Sequence, residues 1–222
     1  MNIALIVFAG KGTRISSRVP KQFIKINDKE IVRYTIETFE SHPLIDSIVL
    51  IAPKDYLAYT QNMVIKSRFM KVINIVEGGA TRQESVRNGL NQLKCNASDN
   101  ILIHDGDRPL LGDKLITQCL RELETSKALI PVIKSDSALK EVSNSGRKIE
   151  VSGISYDVQT PQCFKFGLIK DAHNQLQDKE VSDDATLVEC LGEEVKLISG
   201  NPNNFKVTTD IDLDYLKKTL EK

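Results

Sequence analysis

Glycines and cationic side chains follow the first apolar run, in the segment "FAGKGTRISSRVPKQF". Gly10 and Gly12 lack a Cβ, so the backbone can turn tightly there and approach a ligand closely. Successive exposed amides can also form an anion-binding nest. Arg14 and Lys21 add positive charge suited to phosphate oxygens. The segment therefore predicts a polyphosphate site. The alternative, a tight turn with solvated cations, explains the glycines but not the gathering of charge.

Neither of two well-known nucleotide loops accounts for this segment. The dinucleotide-binding fingerprint needs a third glycine at position 15, which is occupied by Ile15. The P-loop needs glycine at position 5 and Ser or Thr at position 12, where the chain has Leu5 and Gly12. The predicted phosphate site is therefore of a different kind.

The composition is that of an ordinary globular protein, with 41% hydrophobic and 27% charged residues. Its 30 Lys and Arg residues balance its 30 Asp and Glu residues, so we expect no nucleic-acid or membrane partner, and any attraction for anions must be local. Four cysteines are scattered without a C-x-x-C pair, which favours reduced thiols in a cytoplasmic protein. The apolar run "IALIVF" is too short for a signal peptide or a membrane span.

Apolar runs alternate with helical patterns along most of the chain. The runs predict strands over residues 2–9, 46–53, 71–79, 99–109, 128–133 and 194–199. The patterns predict helices over residues 30–42, 55–69, 81–93, 113–126, 164–176, 182–192 and 210–222. Thr81 is the predicted N-cap of the third helix, with Glu84 at the capping-box position. This alternation predicts an α/β fold with a doubly wound, mostly parallel sheet, in a single domain of residues 1–222.

The segment 134–159 differs from the rest of the chain, because it is polar and has no helical face. Ser145-Gly146 offers a turn, so we expect a β-arm that projects from the sheet. Since an isolated hairpin is marginally stable, the arm is predicted to pack on a second copy of the chain and form a homodimer. A surface loop is the alternative.

A ligand of an open parallel sheet binds beyond the carboxyl ends of the strands. Three segments follow strand ends and carry glycines, Asp or Arg, namely residues 10–21, 78–85 and 104–109. His104 ends an apolar strand and is predicted to be a structural histidine rather than a catalytic base. Asp107 could cap a loop instead of binding a ligand, and Asp183 and Asp184 precede a helix, where carboxylates are favoured by the dipole.

The blocks "FAGKGTR" with "PKQF", "GGATRQESVRNGL", "IHDGDRPLL", "QTPQCF", "SDDATLVECLG" and "NFKVTTDIDL" occur in this order along the chain. Together they resemble the cytidylyltransferases that activate 2-C-methyl-D-erythritol 4-phosphate and their relatives that activate ribitol 5-phosphate. The resemblance covers essentially the whole chain. It implies a Rossmann-like nucleotidyltransferase fold and a transfer from CTP to a small polyol phosphate, with Mg²⁺ as cofactor and release of pyrophosphate.

The resemblance also implies roles for individual residues. The catalytic cations are Arg14, Lys21 and Lys206, which hold the triphosphate and stabilise the transition state. The nucleotide-binding residues are Ala9, Gly10, Gly12, Gly79, Arg82, Ser85, Asp105 and Gly106. The acceptor-binding residues are Arg108, Thr160 and Ser182. Asp105 is the implied protein ligand of a Mg²⁺ ion that is held mainly by phosphate oxygens.

Two positions depart from the family pattern on which this resemblance rests. Ala80 stands where the methylerythritol enzymes often carry aspartate. Ser152 stands eight residues before Thr160, where both groups commonly have an arginine for the acceptor's phosphate. The nucleotide half of the site thus matches the family more fully than the acceptor half. "TRQESVRNGL" and "SDDATLVECLG" favour methylerythritol phosphate as the acceptor, with ribitol phosphate or another polyol phosphate as the alternative.

Two other classes of function are compatible with the same residues. A catalytically inactive nucleotide-binding homologue would keep the glycine-rich cradle, but the joint presence of Arg14, Lys21 and Lys206 argues against it. A transferase specific for GTP or UTP would have the same fold. Pyrophosphate release with CTP, GTP and UTP separates these interpretations.

Overall fold

The computed structural model describes the chain except residues 11–14, 16, 18, 136–139, 143–147, 151–153, 180 and 222. In the described part, the strands are β1 (Asn2–Val7), β2 (Lys25–Ile26), β3 (Lys29–Glu30), β4 (Ser47–Ala52), β5 (Val72–Glu77), β6 (Asn100–Asp105), β7 (Ala128–Lys134), β8 (Lys140–Val142), β9 (Lys148–Glu150), β10 (Tyr156–Val158), β11 (Gln162–Lys165) and β12 (Lys196–Ser199). The α-helices are α1 (Ile31–Ser41), α2 (Leu57–Ser67), α3 (Arg82–Asn91), α4 (Asp113–Glu122), α5 (Phe166–Gln175), α6 (Asp184–Cys190) and α7 (Asp210–Leu220). Short 3₁₀ helices span Lys21–Phe23 and Lys54–Tyr56.

The central sheet has eight strands in the order β10-β7-β11-β6-β1-β4-β5, with β12 paired to β7. Strands β6, β1, β4 and β5 are parallel to their neighbours in that run, and β12 is parallel to β7. Strand β11 is antiparallel to both β6 and β7, and β10 is antiparallel to β7. The prediction of a doubly wound, mostly parallel sheet is confirmed.

Strand β1 explains why its sequence is a continuous apolar run. Ala4 and Ile6 belong to a buried cluster with residues of α1, α2 and α4. Ile3, Leu5 and Val7 belong to a second cluster with residues of α3, α5 and α6. Because successive side chains of a strand point to opposite faces and helices cover both faces, the buried positions Ile3 to Val7 of β1 are all apolar.

A third apolar cluster packs α7 against the N-terminal segment around β2 and the start of α1. Leu213 and Leu216 of α7 pack with Ile26, Ile31 and Val207, all of them buried. Helix α7 begins with a capping box in which Thr209 and Asp212 exchange hydrogen bonds. These contacts bring the segment around residue 207 next to the 3₁₀ helix at residues 21–23, although the two lie at opposite ends of the sequence.

The start of α3 differs in one detail from the predicted capping box. Thr81 is the N-cap and accepts a hydrogen bond from the Glu84 amide, as predicted. The Glu84 carboxylate does not return to the Thr81 amide, however, but accepts the amide of Ala80 at 2.7 Å. Glu84 therefore orders the turn before the helix.

Strand β11 is a second difference, since the sequence predicted a helix over residues 164–176. Cys163 and Phe164 pair with Leu102 and Ile101 of β6, and the helix begins only at Phe166. The helical spacing of apolar residues runs through Phe164, so periodicity alone could not reveal a four-residue strand.

The predicted arm contains a β-hairpin. Strands β8 and β9 pair antiparallel, with Lys140 opposite Glu150. The predicted turn at Ser145-Gly146 lies outside the described residues, as does Ser152. Among the helices that the structure describes, none is long and apolar enough to cross a membrane.

Candidate active site

A cavity of about 610 Å³ opens beyond the carboxyl ends of β1, β5 and β6. This is the edge at which open α/β sheets bind ligands, and the volume is typical of small-molecule sites. All three predicted segments contribute to it. The lining residues are Val7, Phe8, Ala9, Gly10, Lys21, Gln22, Gly79, Ala80, Thr81, Arg82, Ser85, Asp105, Asp107 and Lys206.

The loop after β1 is held by Gln22, for which the sequence predicted no role. Its side-chain amide donates to the carbonyls of Phe8 at 2.6 Å and Gly10 at 2.8 Å. Gln22 is almost fully buried. Ala9 and Gly10, which are predicted to bind the nucleotide, line the cavity. Gly12 and Arg14 lie outside the described residues, so their predicted roles stay predictions.

The opposite wall of the cavity is the turn between β5 and α3. Gly79 donates its amide to Ser85 Oγ at 3.0 Å, and Ser85 Oγ donates in turn to the Thr81 carbonyl at 2.8 Å. A Cβ on Gly78 would lie 2.1 Å from the Cβ of Ala9, so only glycine lets this turn approach the first loop. The turn at Gly78 and the first loop at Ala9 are therefore in close contact beside the cavity.

Asp105, at the end of β6, is the centre of a cluster of cations. Its Oδ1 accepts Arg82 Nε at 3.1 Å, and its Oδ2 accepts Lys206 Nζ at 2.8 Å. Arg108 Nε lies 3.7 Å from Oδ2. Burial alone would raise the pKa of Asp105, but attraction to Arg82, Lys206 and Arg108 outweighs it and holds the pKa well below its usual range. Asp105 is therefore ionised at neutral pH.

Arg82 is held from its other side by Asp184, the first residue of α6. Asp184 Oδ2 accepts Arg82 Nη1 at 2.7 Å, and Asp184 Oδ1 lies 3.0 Å from His173 Nε2. Burial would raise the pKa of Asp184, but Arg82 and His173 lower it overall. Asp105 and Asp184 together fix the Arg82 guanidinium. Asp184, for which the sequence allowed a purely structural role, therefore also positions a residue of the cavity. The neighbouring Asp183 is the N-cap of α6.

Lys21 and Lys206 lie on the same side of the cavity, together with Asp107. Lys21 Nζ contacts Asp107 Oδ2 at 2.6 Å and donates to the Val207 carbonyl at 2.7 Å. Lys206 Nζ lies 3.9 Å from Asp107 Oδ1. Asp107 is not a simple loop cap, since it forms an ion pair with a predicted catalytic lysine. In the sequence, only its position directly before Arg108 could have indicated that Asp107 belongs to the site.

His104 and Thr160 contact each other and the backbone around Asp105, and neither of them lines the cavity. Thr160 Oγ1 lies 2.9 Å from His104 Nδ1 and accepts the Asp105 amide at 3.2 Å. His104 Nε2 lies 3.2 Å from the Arg108 carbonyl, which can only accept. A neutral His104 therefore carries its proton on Nε2 and accepts the Thr160 hydroxyl at Nδ1. Burial lowers the pKa of His104 to about 3, which agrees with the predicted structural role.

The other predicted residues are placed as follows. Arg108 donates from Nη1 to the Asn204 carbonyl at 2.8 Å, so it is tied to the segment that carries Lys206. The amide of Gly106 donates to the Val7 carbonyl, and a Cβ there would meet Phe8 at 2.8 Å. Gly106 therefore faces the core rather than the cavity. Ser182 is exposed and directly precedes the N-cap of α6.

The arrangement is suited to a polyanionic substrate. Among the residues that the structure describes, four cations converge at one edge of the sheet, namely Lys21, Arg82, Arg108 and Lys206. Their positions are fixed by the buried or nearly buried Asp105, Asp107 and Asp184. Preorganised charges of this kind stabilise charge that develops during group transfer, and phosphoryl-type transfer requires mainly such positioning.

Comparison with known proteins agrees with this geometry. The family described as 2-C-methyl-D-erythritol 4-phosphate cytidylyltransferase (IspD) matches residues 2–222. A protein of that name from Clostridium novyi (strain NT) is 40% identical over 225 residues, which cover 99% of this chain and 96% of the relative. Another from Clostridium acetobutylicum (strain ATCC 824) is 38% identical over 228 residues, which cover 100% of this chain and 98% of the relative.

Solved structures share the fold over the whole chain. A 4-diphosphocytidyl-2C-methyl-D-erythritol synthase from Anaerococcus prevotii DSM 20548 has a TM-score of 0.86 at 26% identity, covering 100% of this chain and 99% of that chain. A 2-C-methyl-D-erythritol 4-phosphate cytidylyltransferase from Thermus thermophilus has a TM-score of 0.78 at 26% identity, covering 100% of both. Since both the sequence and the fold match from end to end, the chain belongs to the 2-C-methyl-D-erythritol 4-phosphate cytidylyltransferase family, a family of CTP-dependent nucleotidyltransferases.

Proposed function

We propose that this protein transfers the cytidylyl group of CTP to 2-C-methyl-D-erythritol 4-phosphate, releases pyrophosphate and so supplies a step of isoprenoid precursor synthesis. The observation that carries the proposal is the convergence of Lys21 and Lys206 on one cavity with the loops at Ala9–Gly10 and Gly79. The two lysines lie near opposite ends of the sequence, and a chain that only needed charge on its surface would not bring them together. The full-length family match supports the same activity.

The nucleotide has a natural orientation in this cavity. The base and ribose fit the narrow side between the first loop and the turn at Gly79 and Ser85, where main-chain groups leave little room for a purine. The triphosphate then lies against Lys21, Lys206 and the Arg82–Asp105 pair. Arg14, which lies outside the described residues, is proposed to join these cations.

The reaction itself requires little from the protein beyond position and charge. A phosphate oxygen of the acceptor attacks the α-phosphorus of CTP, the bond from that phosphorus to the bridging oxygen of the β-phosphate breaks, and pyrophosphate leaves. Because a phosphate monoester is ionised at neutral pH, no general base has to remove a proton. This agrees with the buried, neutral His104. Lys21 and Lys206 are proposed to stabilise the charge on the transferring group and the leaving pyrophosphate.

A Mg²⁺ ion fits the proposed site. Magnesium takes oxygen ligands and commonly combines one or two carboxylates with substrate phosphates. Asp105 lines the cavity and is ionised, so it is suitable as the protein ligand. The described residues contain no group of three or more metal-ligating side chains, so phosphate oxygens of CTP would complete the coordination. When bound, the ion supplies neutralisation of phosphate charge.

The acceptor is proposed to approach from the side of Arg108, Thr160 and Ser182. The Arg108 side chain is mostly buried, but its Nη2 contact with the Val158 carbonyl, at 3.4 Å, is exposed. The guanidinium can therefore offer this edge to a phosphate. Thr160 supports Asp105 and His104, whereas Ser182 is exposed.

The direct test is pyrophosphate release by the purified protein with Mg²⁺ and a matrix of substrates. We expect release with CTP and 2-C-methyl-D-erythritol 4-phosphate, little with GTP or UTP, and little with ribitol 5-phosphate. Preferential use of ribitol 5-phosphate would contradict the proposed acceptor. Absence of release with every pair, together with binding of CTP, would identify an inactive nucleotide-binding protein.

We also propose that the protein is a homodimer joined through the arm at residues 134–159. Its described part exposes apolar side chains at Ile154, Tyr156 and Val158, and Leu197 on β12 is exposed as well. Such side chains gain from cover by a second copy. Deletion of residues 137–157 should give monomers by light scattering with poor acceptor binding, and a truncated protein that stayed dimeric would contradict this interface.

The cytoplasm is the proposed location. All four cysteines are free thiols, and Cys119 and Cys163 are buried. Free thiols are typical of proteins kept in a reducing compartment. Cell fractionation with a compartment marker tests this assignment.

A further inference from the structure

Asp107 occupies the space between the two lysines of the cavity. Its Oδ2 lies 2.6 Å from Lys21 Nζ, and its Oδ1 lies 3.9 Å from Lys206 Nζ. Oδ1 is buried and has no hydrogen-bond partner among the described residues. The Asp107 carboxylate therefore interacts with the two lysines and does not cap its own loop.

A ring of contacts joins three distant segments at this point. The Asp107 carbonyl accepts the Val207 amide at 2.9 Å, and the Val207 carbonyl accepts Lys21 Nζ at 2.7 Å. The Lys21–Asp107 ion pair closes the ring. The 3₁₀ helix at residues 21–23, the loop after β6 and the segment that carries Lys206 are thereby fixed relative to one another.

The ring also limits what Lys21 can do. A lysine ammonium has three N–H donors. One points to Asp107 and one to the Val207 carbonyl, which leaves a single donor for a substrate oxygen. The charge of Lys21 is at the same time partly neutralised, because its ion pair is nearly buried, with side-chain exposures of 10% and 13%.

We propose that Asp107 is a positioning residue of the transfer reaction, which holds Lys21 and the Lys206 segment in the reactive geometry and lowers the affinity for the bound triphosphate. The proposal rests on the proposed function. A carboxylate beside the phosphates repels CTP in the ground state, whereas fixed lysines favour the transition state, where charge is redistributed. The two effects have opposite signs, so removal of Asp107 should lower kcat and should also lower KM.

The test compares Asp107→Asn and Asp107→Ala with the unchanged protein and with Asp113→Asn, which alters an exposed aspartate at the start of α4. The kcat and KM for CTP are measured at saturating 2-C-methyl-D-erythritol 4-phosphate and Mg²⁺. Calorimetry measures CTP binding without acceptor, and thermal unfolding gives Tm. Asparagine keeps the size and an acceptor oxygen for Lys21, so its Tm should fall less than that of Asp107→Ala, in which Lys21 loses both.

For Asp107→Asn we expect kcat to fall by about tenfold, and for Asp107→Ala by about 100-fold, the scale of a displaced catalytic group. The KM and the calorimetric Kd for CTP should both fall by about two- to fivefold, as for loss of one partly screened charge. Asp113→Asn should change none of these quantities.

Several results would overturn the proposal. An increase of KM in both variants would identify Asp107 as an aid to nucleotide binding, for example through nucleotide-bound magnesium. Unchanged kinetics would show that the ion pair has no role in turnover, and a failure of even Asp107→Asn to fold would mark a structural carboxylate. If the unchanged protein releases no pyrophosphate, the proposed function fails. Calorimetry then still tests the claim that Asp107 weakens CTP binding. That claim is contradicted if Asp107→Asn does not bind CTP more tightly than the parent does.

Discussion

His104 is expected to make the stability of this protein depend on pH above the range in which Asp105 and Asp184 titrate. The ring is completely buried, with Nδ1 at 2.9 Å from Thr160 Oγ1 and Nε2 at 3.2 Å from the Arg108 carbonyl. Burial lowers its pKa to about 3, whereas a histidine in the unfolded chain has a pKa near 6.5. Below about pH 6.5 the unfolded state therefore binds a proton that the folded state does not.

The size of the effect follows from these two pKa values. Stability from His104 is fully present above about pH 6.5 and is lost as the pH falls toward about 3. Between about pH 7 and pH 5, a single histidine of this kind removes about 2 kcal/mol from the free energy of unfolding. Asp105 and Asp184 have folded pKa values below the usual range, so their contribution is lost only when the pH falls below about 4.

The assay is urea unfolding at about pH 7 and pH 5, followed by circular dichroism, for the parent and for His104→Asn. The Asn oxygen can accept from Thr160 as Nδ1 does, and only the difference between the two pH values matters, so a loss of basal stability does not affect the comparison. We expect the pH-dependent loss to be smaller in His104→Asn by about 2 kcal/mol. An equal loss in both proteins would refute the assignment of a buried neutral His104.

Three further substitutions separate charge for catalysis from charge for folding. Lys206→Ala should lower kcat by about 10²–10³ with little change in Tm, because Lys206 is 35% exposed and Asp105 keeps Arg82 and Arg108; a large drop of Tm would mark Lys206 as structural. Lys21→Ala should lower turnover, and it should also lower the free energy of unfolding in urea by about 1–3 kcal/mol, because Asp107 loses its nearest cation. An unchanged unfolding curve would contradict this expectation. Asp184→Asn should destabilise the fold by about 3–5 kcal/mol and weaken CTP binding, because Arg82 loses its most buried partner. Normal CTP binding by calorimetry would show that Arg82 does not contribute to the nucleotide site.

The sequence by itself determined the class of the fold and the position of the site. Continuous apolar runs such as residues 3–7 predict strands buried on both faces, since no polar position is left for a solvated face. The glycine-rich and charged segments follow the strand ends, and parallel strands place those ends at one edge of the sheet. The predicted cytidylyltransferase activity and the lead given to methylerythritol phosphate are confirmed by the family match over residues 2–222.

Only the tertiary structure decided which charges belong together. Asp107 and Asp184 looked like ordinary loop and helix-terminus carboxylates, because the partners that give them a role, Lys21 and Arg82, are remote in sequence. Gln22 and strand β11 were missed for a related reason, since a side-chain contact to a distant carbonyl and a four-residue strand leave no periodic signal. Periodicity records the local repeat of the backbone, whereas a catalytic cluster is made of long-range contacts that exist only after the sheet has been assembled.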